Sequence, residues 1–282
     1  MGRIFDPTLA LLNHSCTPNT ALIYDGSFVH LRSIRDIRSG EQLTISYIDN
    51  THIRPARQGQ VQMNYFFICT CPACEPPNRQ FTVRDSYVCD NQSCKSLIPS
   101  PYLPNNFSCP TCKKPQSMTV RQLQTLELTA LGVLDKNLLA KDNLGRVLTT
   151  TLLPTLNSLT SCPAWPALRQ PVPGLRKLIH DIAETTANFD LGYEQCNALS
   201  SPPLIDLHPE PCHPSKAVKM YNTGMLLAML ATIQNDGEYL RRAKEVLKVA
   251  EELAKKSHGL GSEFLRRVAD RITDVSGRGL FA

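Results

Sequence analysis

The alternation of hydrophobic and polar positions divides the chain into two parts near residue 118. In the first part the apolar runs are short and separated by turn residues, which is typical of β structure. Apolar runs on both sides of Asp25-Gly26 predict a β-hairpin. A further alternating run predicts a strand over residues 42–47, after a turn at residues 38–41. A short helix is predicted over residues 54–68.

In the second part the apolar positions recur with the period of an α-helix. The leucines that carry this pattern are Leu123, Leu126, Leu128, Leu131, Leu134, Leu138 and Leu139. Proline-rich stretches at residues 163–174 and 201–214 interrupt it, and the break at residues 235–237 predicts a helical hairpin. The further helices are predicted over residues 175–188, 215–234, 238–257 and 261–275. The hairpin resembles a tetratricopeptide-type helix pair.

The cysteines are spaced like metal ligands. Cys69, Cys71 and Cys74 supply three thiolates within six residues, and the N-terminus lacks the pattern of a secretion signal, which favours a metal over disulfides. A closed tetrahedral zinc site has four ligands, so a distant cysteine must supply the fourth. Cys16 is the nearest upstream cysteine, within a polar Asn-His-Ser-Cys stretch. If Cys16 closes the site, it holds residues 13–16 against the chain near the other three cysteines.

A second zinc site is predicted in the region from residue 75 to residue 120. This region is rich in Pro, Asn, Ser and Cys and has too little apolar material to fold without a staple. Two cysteine pairs separated by 14 residues resemble a zinc ribbon: Cys89, Cys94, Cys109 and Cys112. Four thiolates leave no position for water, so both zinc sites are interpreted as structural rather than hydrolytic.

The remaining cysteines and histidines give weaker signals. Cys162, Cys196 and Cys212 have no paired spacing and are interpreted as buried or incidental thiols. His208 and His213 allow a metal site, but their proline-rich surroundings favour a turn, with His213 directly before a helix.

Composition limits the classes of partner. No run of about 18 apolar residues predicts a membrane span. The formal net charge is +5, but eight zinc-bound thiolates would add −8 and two zinc ions +4, which brings it near +1. Nucleic acid is therefore disfavoured as a partner, and the ribbon carries few basic residues. A nuclear or cytoplasmic location, or both, is expected.

Three stretches resemble the motifs of SET-domain protein lysine methyltransferases. Residues 9–19 resemble the NHSCxPN motif, residues 40–49 resemble the second core motif with its tyrosine, and residues 69–74 resemble the post-SET zinc site. Their order and spacing are similar to the SET-and-MYND branch, particularly its fungal and plant members. The resemblance is strong over residues 2–75 and looser over residues 118–275.

The resemblance implies an α+β fold. We expect the C-terminal half of a SET-type β domain with a post-SET zinc site and a zinc-ribbon insert, followed by an all-α tetratricopeptide-like domain. The expected boundaries are residues 1–50 for the SET part, 51–75 for the post-SET zinc segment, 76–117 for the ribbon-like insert and 118–282 for the helical domain.

The resemblance also implies a site and its cofactors, S-adenosylmethionine and two structural zinc ions. Asn13 and His14 line the cofactor pocket, largely through backbone and amide hydrogen bonds. Tyr47 lies at the methyl-transfer point, where its hydroxyl orients the lysine amine and its ring faces the sulfonium. Tyr65 lines the lysine channel, and Phe67 covers the adenine. Cys16 is implied as the fourth ligand beside Cys69, Cys71 and Cys74.

Simpler interpretations remain open for these residues. Asn13 and His14 are also suited to capping a turn. Tyr47 would serve equally as an edge-strand residue packed for its area. Tyr65 and Phe67 would form an aromatic plug over the zinc segment.

Two expectations concern the whole protein. No glycine-rich cofactor loop or MYND finger precedes Asn13 in this sequence, so we expect a fragment, a truncated gene model or a degenerate paralogue that binds S-adenosylmethionine weakly or not at all. The first functional hypothesis is a protein lysine methyltransferase acting on a histone or another protein. The alternative is a non-catalytic, zinc-stabilised interaction module whose helical domain binds a protein partner.

Overall fold

The computed structural model describes four stretches of the chain, residues 6–75, 83–100, 103–138 and 142–277. Leu139 and Gly2 lie outside them. The strands are β1 (Asn13–His14), β2 (Thr20–Asp25), β3 (Phe28–Ser33), β4 (Thr44–Ile45), β5 (Ser86–Val88) and β6 (Leu97–Pro99). The α-helices are α1 (Arg54–Tyr65), α2 (Val120–Asn137), α3 (Leu144–Val147), α4 (Leu153–Thr160), α5 (Val172–Thr185), α6 (Phe189–Ser200), α7 (Pro214–Gln234), α8 (Gly237–Ser257) and α9 (Glu263–Gly277).

The predicted hairpin is confirmed. Strands β2 and β3 pair antiparallel in a register that ends at Asp25 and Phe28. Gly26 begins the two-residue loop with φ of +59°, a conformation that favours glycine. The turn at residues 38–41 is also present, because the Glu41 N–H donates to the Arg38 carbonyl at 3.0 Å.

The strand predicted over residues 42–47 is wrong in length. Only Thr44 and Ile45 pair, in β4, because its parallel partner β1 has two residues. The predicted helix over residues 54–68 is present as α1 but ends earlier. Phe66 takes a left-handed conformation with φ of 61°, and its side chain is 89% exposed. This turn redirects the chain toward the cysteines that follow.

The helical part begins as the leucine pattern predicts. Thr119 and Gln122 form a capping box at the start of α2. A π-helical turn, Leu148–Leu152, joins α3 to α4. Pro154 follows as the second residue of α4, and because it has no N–H it donates no hydrogen bond to a carbonyl of the π-helical turn.

The helix predicted over residues 175–188 is shifted. Helix α5 begins at Val172, because Pro173 is tolerated in a first turn, and it ends at Thr185. Asn188 lies outside it and caps α6, whose Leu191 N–H donates to the Asn188 side chain. Neither α6 nor the segment of α3 and α4 was predicted from the sequence.

The C-terminal helical hairpin is confirmed. Helices α7 and α8 have the two-residue connection Asn235-Asp236, which makes them antiparallel neighbours. His258 ends α8, and α9 follows at Glu263. Arg241 pairs with Glu238 and Glu245 on the exposed face of α8. The tetratricopeptide-like comparison stays a prediction.

The largest core joins the ribbon-like region to the helices. Tyr87, Ile98 and Phe107 are buried in one hydrophobic cluster with leucines of α2, α4 and α5. Arg169 is also buried there, with 1% of its surface exposed, and it forms an ion pair of 3.0 Å with Glu127. Its guanidinium carbon lies 4.5 Å from the centre of the Tyr87 ring.

The β segment contacts the helical part at several places, including the tip of the hairpin and Ile34. Asp25, at the tip of the hairpin, accepts the Glu263 N–H at 3.1 and 3.2 Å and so caps α9. The Cys212 N–H donates to the Ile34 carbonyl at 3.1 Å. None of the helices in the described part of the chain combines the length and apolar character of a membrane span.

Candidate functional site

A short parallel strand pair brings the first two motifs together. Asn13 pairs with Thr44 and His14 pairs with Ile45. The Ser15 N–H extends the pair by donating to the Ile45 carbonyl at 2.9 Å. Two segments that are 31 positions apart in the chain therefore lie side by side.

Asn19 fastens the second motif to the first. Its amide nitrogen donates to the Gln42 carbonyl at 2.8 Å and to the Glu41 carboxylate at 3.1 Å. Its amide oxygen accepts the Thr44 N–H at 2.8 Å. Because Asn19 is almost completely buried, each of these bonds replaces one that water would otherwise make. The Asn at the end of the NHSCxPN-like motif is thus a structural clamp.

A cavity of about 390 Å³ opens beside this strand pair. It brings together four of the residues predicted from the sequence to bind cofactor: Asn13, His14, Tyr47 and Phe67. The other residues that line it are Ser15, Gln42, Thr44, Ile68, Cys69, Thr70, Cys71 and Pro72. The Asn13 side chain makes no hydrogen bond to any residue in the described ranges, so its amide is available to a ligand.

Two tyrosines meet at one end of the cavity. The Tyr47 hydroxyl donates a short hydrogen bond to the Leu12 carbonyl. The Tyr65 hydroxyl donates to the Tyr47 carbonyl at 3.1 Å, and the centres of the two rings are 4.9 Å apart. Tyr65 lines no part of the cavity wall itself and reaches the site through Tyr47.

The first cysteine cluster adjoins the same cavity. The sulfur atoms of Cys16, Cys69, Cys71 and Cys74 all lie within 4.8 Å of one another. The Cys16 and Cys74 sulfurs are 3.6 Å apart. Zinc–sulfur bonds of about 2.3 Å place the sulfurs of a tetrahedral site about 3.8 Å apart. The cluster therefore has the ligand type, number and spacing of a closed zinc site.

Without a cation these four thiols compete for protons. Hydrogen bonds with the three neighbouring thiols, together with burial, raise the pKa of Cys16 far above its usual range. Cys69 shares a hydrogen bond with Cys16, and this bond holds the pKa of Cys69 far below the usual range. A divalent cation removes this conflict because it stabilises all four thiolates together.

Arg57 supplies a positive charge beside the cluster. It is buried, lies 3.8 Å from the Asp85 carboxylate and is attracted by the thiolates of Cys16 and Cys74. A zinc ion with four thiolates carries a net charge of −2, which a buried guanidinium offsets. Gln58 holds the neighbouring backbone, because its amide both donates to the Cys69 carbonyl at 2.7 Å and accepts the Cys69 N–H at 3.0 Å.

Sequence reasoning missed Arg57 and Gln58. Both lie on α1 with polar neighbours, so the helix gave no indication that these side chains face inward. The only available signal was their distance of eleven to twelve positions from Cys69, about the reach of one helix folding back.

The second cluster is formed by Cys89, Cys94, Cys109 and Cys112, whose sulfurs also lie within 4.8 Å of one another. The Cys89–Cys112 and Cys94–Cys109 sulfur distances are 3.7 and 3.8 Å. These values again match a tetrahedral zinc site. Burial raises the pKa of Cys89 to about 11, and a bound cation would favour its thiolate form.

Polar groups surround the sulfurs of the second cluster. The Ser96 hydroxyl lies 3.0 Å from the Cys109 sulfur, and the Thr111 N–H donates to the same sulfur at 3.4 Å. The Gln116 amide donates to the Cys89 sulfur at 3.5 Å. Such outer hydrogen bonds orient thiolate ligands and spread their charge.

Three cysteines belong to neither cluster. Cys162 and Cys196 are buried, and Cys212 is half-buried. Cys196 contacts the Thr223 hydroxyl at 3.3 Å, and burial raises its pKa to about 11. These positions agree with their interpretation as packed thiols.

A third group of metal-ligating residues is His208, Glu210 and His213. The two imidazole rings are stacked, with centres 3.8 Å apart and planes inclined by 3°. Imidazole lone pairs lie in the ring plane, so two parallel rings do not direct them at one ion. The cations that act on this pair are Arg84, Lys216 and Lys219. The arrangement favours a structural role, as the proline-rich context predicts.

His213 begins helix α7. Its Nδ1 accepts the Ser215 N–H at 3.3 Å, and Pro214 occupies the first turn. Burial, followed by the neighbouring cations, lowers the pKa of His213 to about 4. Burial also lowers the pKa of His208 to about 2. Both rings are therefore neutral at physiological pH.

The sequence of the β segment matches a known domain family. Residues 3–48 match the model of the SET domain. This segment is SET-domain sequence. The family resemblance of the motifs is thereby confirmed, and the strand pair, the Asn19 clamp and Tyr47 all lie within the matched SET segment.

Relatives of the SET segment belong to the SET-and-MYND type. The "SET domain and MYND-type zinc finger protein 6" of Schizosaccharomyces pombe is 51% identical over 75 residues, 27% of this chain and 16% of that protein. The human "Histone-lysine N-methyltransferase SMYD3" is 40% identical over 73 residues, 26% of this chain and 17% of that protein. The human "N-lysine methyltransferase SMYD2" is 36% identical over 74 residues, with the same shares.

These matches are confined to one part of each chain. This chain spans about a sixth of the length of each of these three relatives. The similarity covers about a quarter of this chain, a length close to that of the SET segment and the first cysteine cluster together. The relatives therefore support a SET-type methyltransferase segment. These three matches carry no information about the helical part.

Proposed function

We propose that the SET segment and the first cysteine cluster form one side of the methyl-transfer site of an S-adenosylmethionine-dependent protein lysine methyltransferase. The observation that carries this proposal is the cavity where Asn13, His14, Tyr47 and Phe67 meet beside four thiols. The SET match and the names of two relatives as lysine methyltransferases support the reaction class.

The lining of the cavity fits the cofactor. A volume of about 390 Å³ falls within the usual range of small-molecule sites. The available amide of Asn13 and the backbone of His14 would hold its polar end, and the Phe67 ring would cover its adenine. When bound, S-adenosylmethionine supplies a methyl group on a cationic sulfonium, which an aromatic lining attracts.

Tyr47 is suited to orient the substrate amine. Its hydroxyl already donates to the Leu12 carbonyl, so its remaining lone pairs can only accept a hydrogen bond. A lysine amine offers N–H donors and would be held with its own lone pair free to attack. The lysine must lose its proton first, and its free pKa of about 10.4 has to fall by desolvation. The rings of Tyr47 and Tyr65 help to exclude water there.

The two cysteine clusters would each hold a structural zinc ion. The first zinc would join the cofactor segment to the chain that carries Phe67. The second would close the ribbon against the helices. The proposed substrate is a lysine of a histone or another protein, and the helical part is proposed to bind a protein partner. A nuclear or cytoplasmic site of action, or both, is part of this proposal.

A non-catalytic interaction module is the second candidate. The region that holds helices α2 to α9, with its connecting loops, makes up most of the described chain, and the matched SET segment is a small part of it. In this alternative the zinc clusters and the SET segment form a scaffold, and no methyl group is transferred.

Methyl transfer separates the two candidates. The chain is incubated with labelled S-adenosylmethionine and arrays of histone and non-histone lysine peptides. Tyr47→Phe should lower transfer about 100-fold, because the amine is no longer oriented, while zinc content stays unchanged. Tyr24→Phe, which changes an exposed tyrosine on the hairpin, is the matched control and should leave transfer unaltered.

Two outcomes would contradict the proposed activity or the role of Tyr47. A wild-type chain that transfers no label, and whose amide signals at residues 13 and 14 do not shift with added cofactor, supports the interaction module. Equal transfer by wild type and Tyr47→Phe would contradict the role proposed for Tyr47.

A further inference from the structure

The side chain of His14 lies between the first cysteine cluster and Tyr47. Its Nδ1 lies 3.1 Å from the backbone nitrogen of Tyr47, and its Nε2 lies 3.4 Å from the sulfur of Cys16. The ring centre is 5.3 Å from that of Tyr47 and 6.1 Å from that of Phe67. One imidazole thus contacts a thiol of the first cysteine cluster and lies near Tyr47 and Phe67 of the cavity.

The two contacts fix where the ring carries its proton. A backbone N–H only donates, so Nδ1 of His14 must accept the Tyr47 N–H. A neutral imidazole has one acceptor and one donor nitrogen, so the proton resides on Nε2. Nε2–H then donates to the Cys16 sulfur, and a zinc-bound thiolate is a charged acceptor that strengthens this bond.

The strand pair determines this placement. His14 is the last residue of β1, opposite Ile45 in β4, and Tyr47 follows two positions after Ile45. Cys16 follows two positions after His14. The ring therefore spans from the end of one strand to the segment after the other. No other side chain in the described ranges hydrogen-bonds both to a sulfur of this cluster and to the Tyr47 backbone.

We propose that the side chain of His14 is a positioning residue that couples the metal bound by the first cysteine cluster to the placement of Tyr47. Metal on Cys16 fixes the imidazole through Nε2–H, and the imidazole fixes the Tyr47 backbone through Nδ1. This inference rests on the proposed function, because the role of Tyr47 in methyl transfer is itself part of that proposal. It differs from the role expected of residues 13 and 14, which act largely through their backbones.

Two conservative substitutions separate the two ends of the ring. In His14→Asn, the amide oxygen reaches the place of Nδ1 and still accepts the Tyr47 N–H, but nothing reaches the sulfur. In His14→Gln, the amide nitrogen reaches the place of Nε2 and still donates to Cys16, but the acceptor for Tyr47 is lost. His14→Leu removes both bonds. His30→Asn changes an exposed histidine on β3 and is the matched control.

The experiment measures the effect of both His14 hydrogen bonds, to Cys16 and to Tyr47, in the zinc-loaded full chain. Zinc loss to a competing chelator is followed at the amide signals of Cys16 and, as an internal reference, Cys109. Hydrogen exchange is followed at the Tyr47 amide. We expect His14→Asn to weaken zinc retention at the first cluster about 10-fold or more and to make Tyr47 exchange independent of that zinc. We expect His14→Gln to retain zinc and to speed Tyr47 exchange about tenfold.

The coupling is tested by His14→Leu and by metal removal. Wild type stripped of the first zinc should lose Tyr47 protection, whereas His14→Leu should show fast Tyr47 exchange with or without that zinc. The inference is overturned if His14→Leu matches wild type in both zinc retention and Tyr47 exchange, or if stripping the first zinc leaves Tyr47 protected. An unchanged Cys109 signal shows in each case that the ribbon and the helices remain folded.

Neither readout requires methyl transfer. If these shifts occur and wild type transfers no methyl group, the coupling stands and the proposed enzyme activity fails. If transfer occurs and the shifts do not, the activity stands and the coupling fails.

Discussion

The two cysteine clusters have the same composition but are built from different lengths of chain. The second uses cysteines at most 23 positions apart and lies against the largest hydrophobic core, with Tyr87 and Ile98. The first joins Cys16 to Cys74 across 58 positions and packs against a small group that includes Val61. Two of its cysteines also line the cavity.

This difference indicates two uses of the same metal chemistry. A cluster of local ligands holds together a segment that has little apolar material of its own, so its main effect is on folding. A cluster of remote ligands brings distant segments together, so its main effect is on the shape of the site. The following predictions test this distinction in order of decreasing effect.

Loss of the second cluster should have the largest effect on stability. Cys109→Ser removes a buried ligand next to the core, and the free energy of binding a structural zinc is folding free energy, on the order of 10 kcal/mol in zinc-finger peptides. We expect the ribbon to unfold and the helices to melt at a lower temperature, as measured by circular dichroism. Cys16→Ser should instead disorder the cavity and leave the helical melting unchanged. Equal melting losses for both variants would contradict the distinction.

Arg169→Met should destabilise the ribbon and helix core by about 3 to 5 kcal/mol. The substitution leaves the Glu127 carboxylate buried without its two hydrogen bonds of 3.1 and 3.0 Å. Urea unfolding measures the loss. The control Arg241→Met removes two exposed ion pairs and should cost far less stability. A small loss for Arg169→Met would show that this core does not depend on the pair.

Asn19→Ala should weaken the SET segment by about 3 kcal/mol. Three hydrogen bonds of about 1 kcal/mol each disappear, including those to Gln42 and Thr44. Hydrogen exchange at the amides of residues 13–15 and 44–45 should accelerate, while exchange in α5 stays unchanged. Acceleration that extends into α5 would mean that the SET segment and the helical part unfold as one unit.

Acid should lower the free energy of unfolding of the chain by about 2 kcal/mol between pH 7.5 and 5.5. The folded pKa values of His208 and His213, about 2 and about 4, lie below the ordinary value near 6.5. The unfolded chain therefore binds more protons than the folded chain below pH 6.5, and stability falls as the pH falls through this window. Urea unfolding of wild type and His213→Asn, which keeps a helix cap, measures the difference. An equal pH slope in both would contradict this assignment.

The elements that sequence patterns predicted are those with local signals. The β2–β3 hairpin carries Asp25-Gly26 between two apolar runs, and the α7–α8 hairpin carries a break at residues 235–237. The grouping of Cys69, Cys71 and Cys74 follows from ligand spacing, and ligand counting pointed to Cys16.

The elements that the sequence did not predict depend on contacts between distant residues or lack a local sequence signal such as a glycine at a helix end. Helix α5 ends near Ala187, which takes the positive φ usually marked by glycine, so no glycine marked the boundary before α6. The two-residue strands β1 and β4 exist only through their pairing. Arg57 belongs to a polar helix, and only the folded structure shows that its charge faces the thiols.

X-ray absorption at the zinc edge tests the central claim most directly. That claim is that Cys16 closes a zinc site with the cysteines at positions 69, 71 and 74. We predict two zinc ions per wild-type chain, each with four sulfur neighbours at about 2.3 Å, and loss of one sulfur neighbour or of one zinc in Cys16→Ser. A folded chain without metal, or a Cys16→Ser spectrum identical to wild type, would contradict the claim.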